Sequence, residues 1–431
     1  MFGRKSEKTK IKREAISRKQ SDKPNYTMIM VIIAFLIVGL LMIFSASAVL
    51  AYVSYQDTFF FLKKQLIWIA VGAVLAFIVY KMPRGALRKM GIGVTILGFI
   101  LLVYMFPQSA FHLSTPGVVT LNGATRWIRI PNVFDIQPAE LMKIVIILFT
   151  SFWLTLGEKT KNSLDKFIKK YKNKKNLFFF LQHYYILFPV VVIGLVSGFI
   201  LLQRDLDTIV VLVLIFLCIY YVGGTKKQTQ IVKILLVLSL VVGVLASVLE
   251  PYRRQRVESF LEIAFKGQPN DTQGASFQAW NGLVAIGSGG LFGVGYGNSR
   301  QKLFFLQEAA YTDSIFAVYA EEFGLAGTIL LVLGYIYFLS LGLQIARKSN
   351  DKFLCLIAIG VTSWITIQAL LNIAANLAVI PFGGMPLPFL TYGGSNTIAM
   401  LFGIGLLLNA SRKSNTSESG KDFRKSLVRS R

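Results

Sequence analysis

The stretch "FLQEAAYTDSIFAVYAEEFG", Phe305 to Gly324, sets Asp313 at the mouth of an apolar run that continues to Ala346 and carries Glu321 and Glu322 inside it. Those two carboxylates lie about 12 Å deeper than Asp313 at 1.5 Å per helical residue. Charges at that depth of a bilayer are costly and point to a cavity or an internal partner. The run decides the fold because the rest of the chain repeats its character. Hydrophobic residues make up 54% of the 431, charged ones 16%, and the mean hydropathy is +0.58. Apolar runs of about 20 residues, the length that crosses a bilayer, recur at Met28–Tyr52, Gln65–Tyr80, Ile92–Phe106, Pro138–Leu156, Phe178–Leu202, Thr208–Val222, Ile231–Leu249, Ser314–Ala346, Phe353–Val379 and Asn396–Ala410. The expected fold is all-α: one polytopic membrane domain over residues 26–410 with about ten transmembrane helices.

Lysine and arginine crowd Arg4–Lys23, Lys81–Lys89, Lys159–Lys175, Lys226–Lys233, Arg347–Lys352 and Arg412–Arg431, which are alternate loops and both ends. The positive-inside rule then makes both termini cytoplasmic. Residues 1–25 and 411–431 read as basic cytoplasmic tails, polar and poor in apolar residues, and as solvated chain. A net charge of +25 could signal nucleic acid, but the basic residues are juxtamembrane and lack interleaved aromatics. Topology and anionic headgroups explain them better, and no nucleic-acid partner is expected. Ser45 to Ala48 imitates a signal cleavage site, but the preceding run is too long for a signal peptide. Cys218 and Cys355 fall inside spans far apart, and His112 and His183 have no acidic or cysteine partner at ligand spacing. Neither disulfide nor zinc chemistry is signalled. No GxxxxGK[ST] loop occurs, and "GVGYGN" at Gly293–Asn298 lacks the strand-to-helix context of a dinucleotide site.

Two long outer loops carry the informative residues, Pro107–Gln137 and Glu250–Asp313. The second, between spans seven and eight, contains "SFQAWNGLVAIGSGGLFGVGYGNSRQKLFF", apolar but too broken by glycine to span, and it reads as a re-entrant segment. Arg253, Arg254 and Arg256 precede it, Arg300 and Lys302 end it, and the first loop adds Arg126 beside Trp127. Basic residues kept outside suit an anionic headgroup such as a pyrophosphate, because guanidinium forks pair with phosphate oxygens. Loop solvation is the plainer reading for Arg254 alone. Asp313 has two compatible readings: a helix-start carboxylate favoured by the macrodipole, or a general base beside that basic patch. Glu140 and Lys143 share a helix face and read first as a structural pair. Glu321 and Glu322 read equally well as cavity lining or as buried partners.

The chain resembles the SEDS family of membrane proteins (FtsW, RodA and their sporulation relative). The resemblance covers nearly the whole length and rests on "SASAVLA", "GATRWI", "QPAELMK", "YRRQRVESF", "GYGNSRQKLFFL", "TDSIFAVYAEEFGLAG" and "PLPFLTYGGSNTIAM". The fifth and last of these look more like the division branch than the elongation branch. The resemblance implies a ten-span peptidoglycan glycosyltransferase of the bacterial cytoplasmic membrane, acting at the septum, that polymerises lipid II and releases undecaprenyl pyrophosphate. It implies a class B penicillin-binding protein as transpeptidase partner, with other divisome membrane proteins. Asp313 takes the place of the essential aspartate that deprotonates the acceptor, with inversion at the anomeric carbon. Arg126, Arg256 and Lys302 would neutralise the pyrophosphate, and Trp127, Arg253, Glu308 and Ser395 complete the expected substrate-binding set. No cofactor is evident; a divalent cation at the pyrophosphate is compatible with the sequence but not signalled by it.

Three departures from the family pattern stand out. "QPDLGT" reads "QRDLDT", so that Arg204 and Asp207 are expected to pair across the outer turn. "LPEAHTDF" reads "LQEAAYTDS", with Gln307 for proline, Tyr311 for histidine, Ser314 for phenylalanine and an added alanine. Ala378 stands where a glycine is usual. Two other classes stay open on the sequence: a lipid II flippase or transporter, although its repeated halves and midplane site are not apparent, and a scaffold that only recruits the transpeptidase. An elongation-type polymerase is the nearer alternative.

Overall fold

In the computed structural model, residues 24–412 are described, apart from 112, 122–123, 131–133, 171–174, 226–229, 231–233, 237–250, 268–274 and 382. Among the described residues, eight helices are long and apolar enough to cross a membrane: α1 (Tyr26–Tyr55), α2 (Phe60–Lys81), α3 (Arg84–Phe111), α4 (Pro138–Lys170, apolar through Leu156), α6 (Leu206–Gly223), α10 (Ile315–Lys348), α11 (Lys352–Asn376) and α12 (Gly394–Ser411). α5 (Lys175–Leu202) contributes a shorter apolar stretch, Leu187–Leu202. Of the expected span Ile231–Leu249 only residues 234–236 are described, and residues 1–23 and 413–431 of the tails, His112 and the side chains of His183 and Arg253 lie outside the described residues.

Helix starts follow from local chemistry. The side chains of Asn25, Asp205 and Asp351 each accept a hydrogen bond from a first-turn amide, at Met28 (3.0 Å), Thr208 (3.3 Å) and Phe353 (2.8 Å). α11 is the central helix, with 72% of its apolar window buried, whereas α1 turns Met30, Ile33, Ile37 and Leu41 outward. α12 runs along α2 so closely that a Cβ on Gly405 would lie 2.7 Å from the Ala76 Cα. Some polar groups inside the bundle find partners on other helices, which a low dielectric rewards. Asn409 donates to the carbonyls of Val79, Tyr80 and Met82 at 2.8–2.9 Å and so satisfies the exposed end of α2.

Two features shape the outer face. The first is a three-stranded antiparallel sheet, β1 (Val118–Leu121), β2 (Ala124–Ile130) and β3 (Phe134–Ile136), within the first long outer loop. Its signal was present: β-branched residues on both sides of Asn122-Gly123, a dipeptide that favours tight hairpins. The second is the glycine-rich segment after α7 (Pro251–Lys266) and α8 (Ala275–Ser288). It ends in a π-helical turn, Lys302–Leu306, and the short α9 (Glu308–Tyr311). α10 breaks at Gly324, whose φ of 64° a side chain would disfavour. The segment heals that break: Val294 and Gly295 amides donate to the carbonyls of Glu321 and Glu322, and Leu325 and Ala326 amides donate to Gly290 and Leu291. Irregular backbone is thus paired within protein, the condition under which a bilayer tolerates it.

Candidate active site

Asp313 lies in the turn between α9 and α10, held from three sides. Its backbone carbonyl accepts from Asn372 (3.0 Å) and Asn376 (3.1 Å), both on α11. The preceding Thr312 carbonyl accepts from Thr391 (3.2 Å), and the Ser314 hydroxyl accepts from Gln278 of α8 (3.2 Å). With its backbone pinned, the half-buried Asp313 carboxylate is aimed at the Gly383-Gly384 strip. A Cβ on Gly384 would stand 3.2 Å from its Oδ2.

The same strip meets a second carboxylate. Gly384 donates its amide to Asp207 Oδ2 at 3.0 Å, and a Cβ on Gly383 would lie 2.7 Å from Asp207 Oδ1. Arg256 of α7 approaches Asp207 Oδ2 at 3.9 Å. Arg126 of β2 donates to the Arg204 carbonyl, while its Nε is buried without a hydrogen-bond partner among the described residues. Burial pushes the Asp313 carboxyl up to about 6; Asp207 and, last, Asp205 add to the rise, while Arg256 and Arg126 oppose it. The arrangement is a proton acceptor poised near neutral pH with two guanidinium groups within electrostatic reach.

The expected pairing of Arg204 with Asp207 is corrected: Asp207 meets Gly384 and Arg256, and Arg204 supplies only its carbonyl, to Arg126. Arg204 and Gln307 have φ of 60° and 44°. A proline, locked near −65°, could adopt neither conformation, so neither turn as it stands here would accept the proline of the family pattern. Tyr311 packs against Phe61 and Tyr392, ring centroids 4.6 and 5.8 Å away, and burial raises its hydroxyl pKa well out of the range of a base.

Other expected residues are placed elsewhere. Lys302, expected at the leaving pyrophosphate, is buried, its Nζ 2.6 Å from Glu322 and 2.8 Å from Ser45 of α1. Glu321 accepts from Ser299 (2.5 Å) and the Arg300 amide (3.0 Å), so both glutamates are internal partners of the glycine-rich segment and not cavity lining. Trp127 follows Arg126 on a strand, where neighbours point to opposite faces, so the two do not act on one ligand side by side. Ser395 donates to the Asp135 carbonyl (2.8 Å) and accepts from the Gln137 amide (3.2 Å), which ties the sheet to α12. Glu308 is exposed at the start of α9. Glu140 and Lys143 form a buried pair at 2.7 Å, with Gln368 accepting from Lys143 at 2.9 Å. Arg254 pairs with Glu258 on the surface at 2.8 Å. Among the described residues no group of three or more histidine, cysteine or acidic side chains is placed to hold a metal ion.

Sequence reasoning noted Asp207 but missed its role, and missed Gly383-Gly384, Asn372 and Asn376 altogether. "PFGGMP" at Pro381–Pro386 is the signal that could have found the strip, since paired glycines admit carboxylates against backbone.

The profile of the FtsW/RodA/SpoVE family, described as cell cycle protein, matches residues 25–416. Stage V sporulation protein E of Bacillus subtilis (strain 168) is 35% identical over 91% of this chain and 98% of its own length. The probable peptidoglycan glycosyltransferase FtsW of Coxiella burnetii is 32% identical over 87% of this chain and 93% of its own. Among solved structures, the rod shape determining protein RodA of Thermus thermophilus superposes with a TM-score of 0.59 at 21% identity, over 92% of this chain and 99% of that one. A chain from a peptidoglycan synthase complex that coordinates polymerization and crosslinking gives 0.64 at 22% identity, over 90% and 98%. With sequence and fold in agreement, this chain belongs to the FtsW/RodA/SpoVE family of cell cycle proteins.

Proposed function

We propose that this chain is a peptidoglycan glycosyltransferase that polymerises lipid II at the outer face of the bacterial cytoplasmic membrane, with Asp313 as its general base. The observation that carries the reading is the pinned Asp313 carboxylate, near-neutral in pKa, set among Asp207, Arg256 and Arg126. The base takes the proton of the acceptor sugar hydroxyl as its oxygen attacks the donor anomeric carbon. The bond to pyrophosphate breaks, the anomeric centre inverts, and undecaprenyl pyrophosphate leaves. Arg126 and Arg256 offset the charge that gathers on it. Relatives bearing the name peptidoglycan glycosyltransferase support the reaction class. The synthase complex, with its coordination of polymerization and crosslinking, supports a transpeptidase partner, which we take to be a class B penicillin-binding protein. The basic ends of α3 and α10 lie opposite Asp313, which supports placing the site outside. Assignment to the septum rather than to elongation rests on the division-type motifs, and a fluorescent fusion restricted to the lateral wall would overturn it.

The test is purified chain, with and without its transpeptidase, on labelled lipid II, with glycan strands resolved on a gel. Strands are expected from the wild type; none from folded, partner-bound protein would shift the reading to transport or scaffolding.

The base must be ionised to act, so the initial rate is expected to rise through about pH 6 to a plateau. Asp207→Asn removes a neighbouring negative charge and should move that limb to lower pH. Arg126→Ala removes a positive one and should move it upward, besides weakening donor use. Limbs that do not move in opposite directions would separate Asp313 from the observed titration.

A further inference from the structure

The groove between the early turns of α3, the middle of α4 and the start of α11 has a volume of about 240 Å³ and opens on the outside of the bundle. Its walls include Ile92, Ile96, Phe149, Phe152 and Trp153, and Gly91 leaves one side without a side chain. Arg88 lines the same groove, its guanidinium 5.3 Å from the centre of the Phe353 ring. Arg88 Nε is buried and has no hydrogen-bond partner among the described residues. Arg84, one turn earlier, differs in being paired with Asp351 at 3.2 Å.

We propose that this groove is a binding site for an acidic phospholipid, with the phosphate on Arg88 and one acyl chain lying along Ile92 and Ile96. Three observations select that occupant. The walls are aliphatic and aromatic, suited to a hydrocarbon chain and not to a hydrated sugar. The single cation at the end of the groove is a guanidinium with donor capacity to spare, the group that binds phosphate oxygens in pairs. The groove sits at the basic end of the bundle, beside Lys81, Arg84 and Lys89, where anionic headgroups of the cytoplasmic leaflet collect. It lies at the opposite end of the helices from Asp313 and is independent of the glycosyltransferase reading.

The test is native mass spectrometry of the full chain in detergent, titrated with dioleoylphosphatidylglycerol or dioleoylphosphatidylcholine. The wild type should retain one phosphatidylglycerol at least fivefold more tightly than phosphatidylcholine, in line with about 1 kcal/mol per basic residue at an anionic surface. Arg88→Gln should bring the two lipids level. Thr95→Phe, which fills the groove and leaves the charge, should lose both. Equal retention of the two lipids by the wild type overturns the proposal, as does undiminished phosphatidylglycerol binding in Thr95→Phe, whatever Arg88→Gln does.

Discussion

Asp313→Asn is expected to lower lipid II polymerisation by at least about a hundredfold, the scale that a positioned general base contributes, while the protein inserts and binds its transpeptidase as before. The substitution keeps the shape of the side chain and leaves the backbone carbonyl that Asn372 and Asn376 hold. It also removes a negative charge beside Asp207, so folding should not suffer. Initial rates on labelled lipid II, with thermal melting of the same preparation, measure both effects. A rate within threefold of wild type would remove Asp313 as the base and favour a scaffold. A joint loss of rate and melting temperature would make the aspartate a structural cap.

The sequence made Asp313 legible because a carboxylate at the start of a long apolar run, facing an outer basic patch, has few other reasons to be there. It made the eight spans found among the described residues legible, because length and hydropathy alone specify them. What it concealed were partnerships. Asp207 follows Arg204 by three residues, yet the two do not pair, since Arg204 takes a left-handed φ and turns its carbonyl to Arg126, while Asp207 meets Gly384 and Arg256. The glycine strip at Gly383-Gly384 reads as a loop until α6 and the α9–α10 turn bring carboxylates to both sides of it. Lys302 looked like an outward cation for the same reason: a lysine ending a re-entrant segment faces outward unless a charge from another element awaits it, and no spacing rule links residues 302, 322 and 45.

That buried charge yields the second large effect. Lys302 and Glu322 have side chains 3% and 0% exposed and stand 2.6 Å apart, and Ser45 shares the same Glu322 oxygen. Lys302→Met leaves a carboxylate buried with only a hydroxyl for company, which costs about 3–5 kcal/mol, and the folded yield and melting temperature should fall sharply. Lys302→Met with Glu322→Met removes both charges and should recover most of the loss, because apolar replacement of a whole buried pair is close to neutral. The double variant should also polymerise lipid II, since the bond from Val294 to the Glu321 carbonyl and that from Gly295 to the Glu322 carbonyl are backbone contacts and survive it. If Lys302 instead served the pyrophosphate, both variants would lose turnover while melting like the wild type. Stability and rate therefore move in different patterns for the two roles, and the pair of variants separates a lysine that holds the glycine-rich segment in α10's break from one that holds the leaving group.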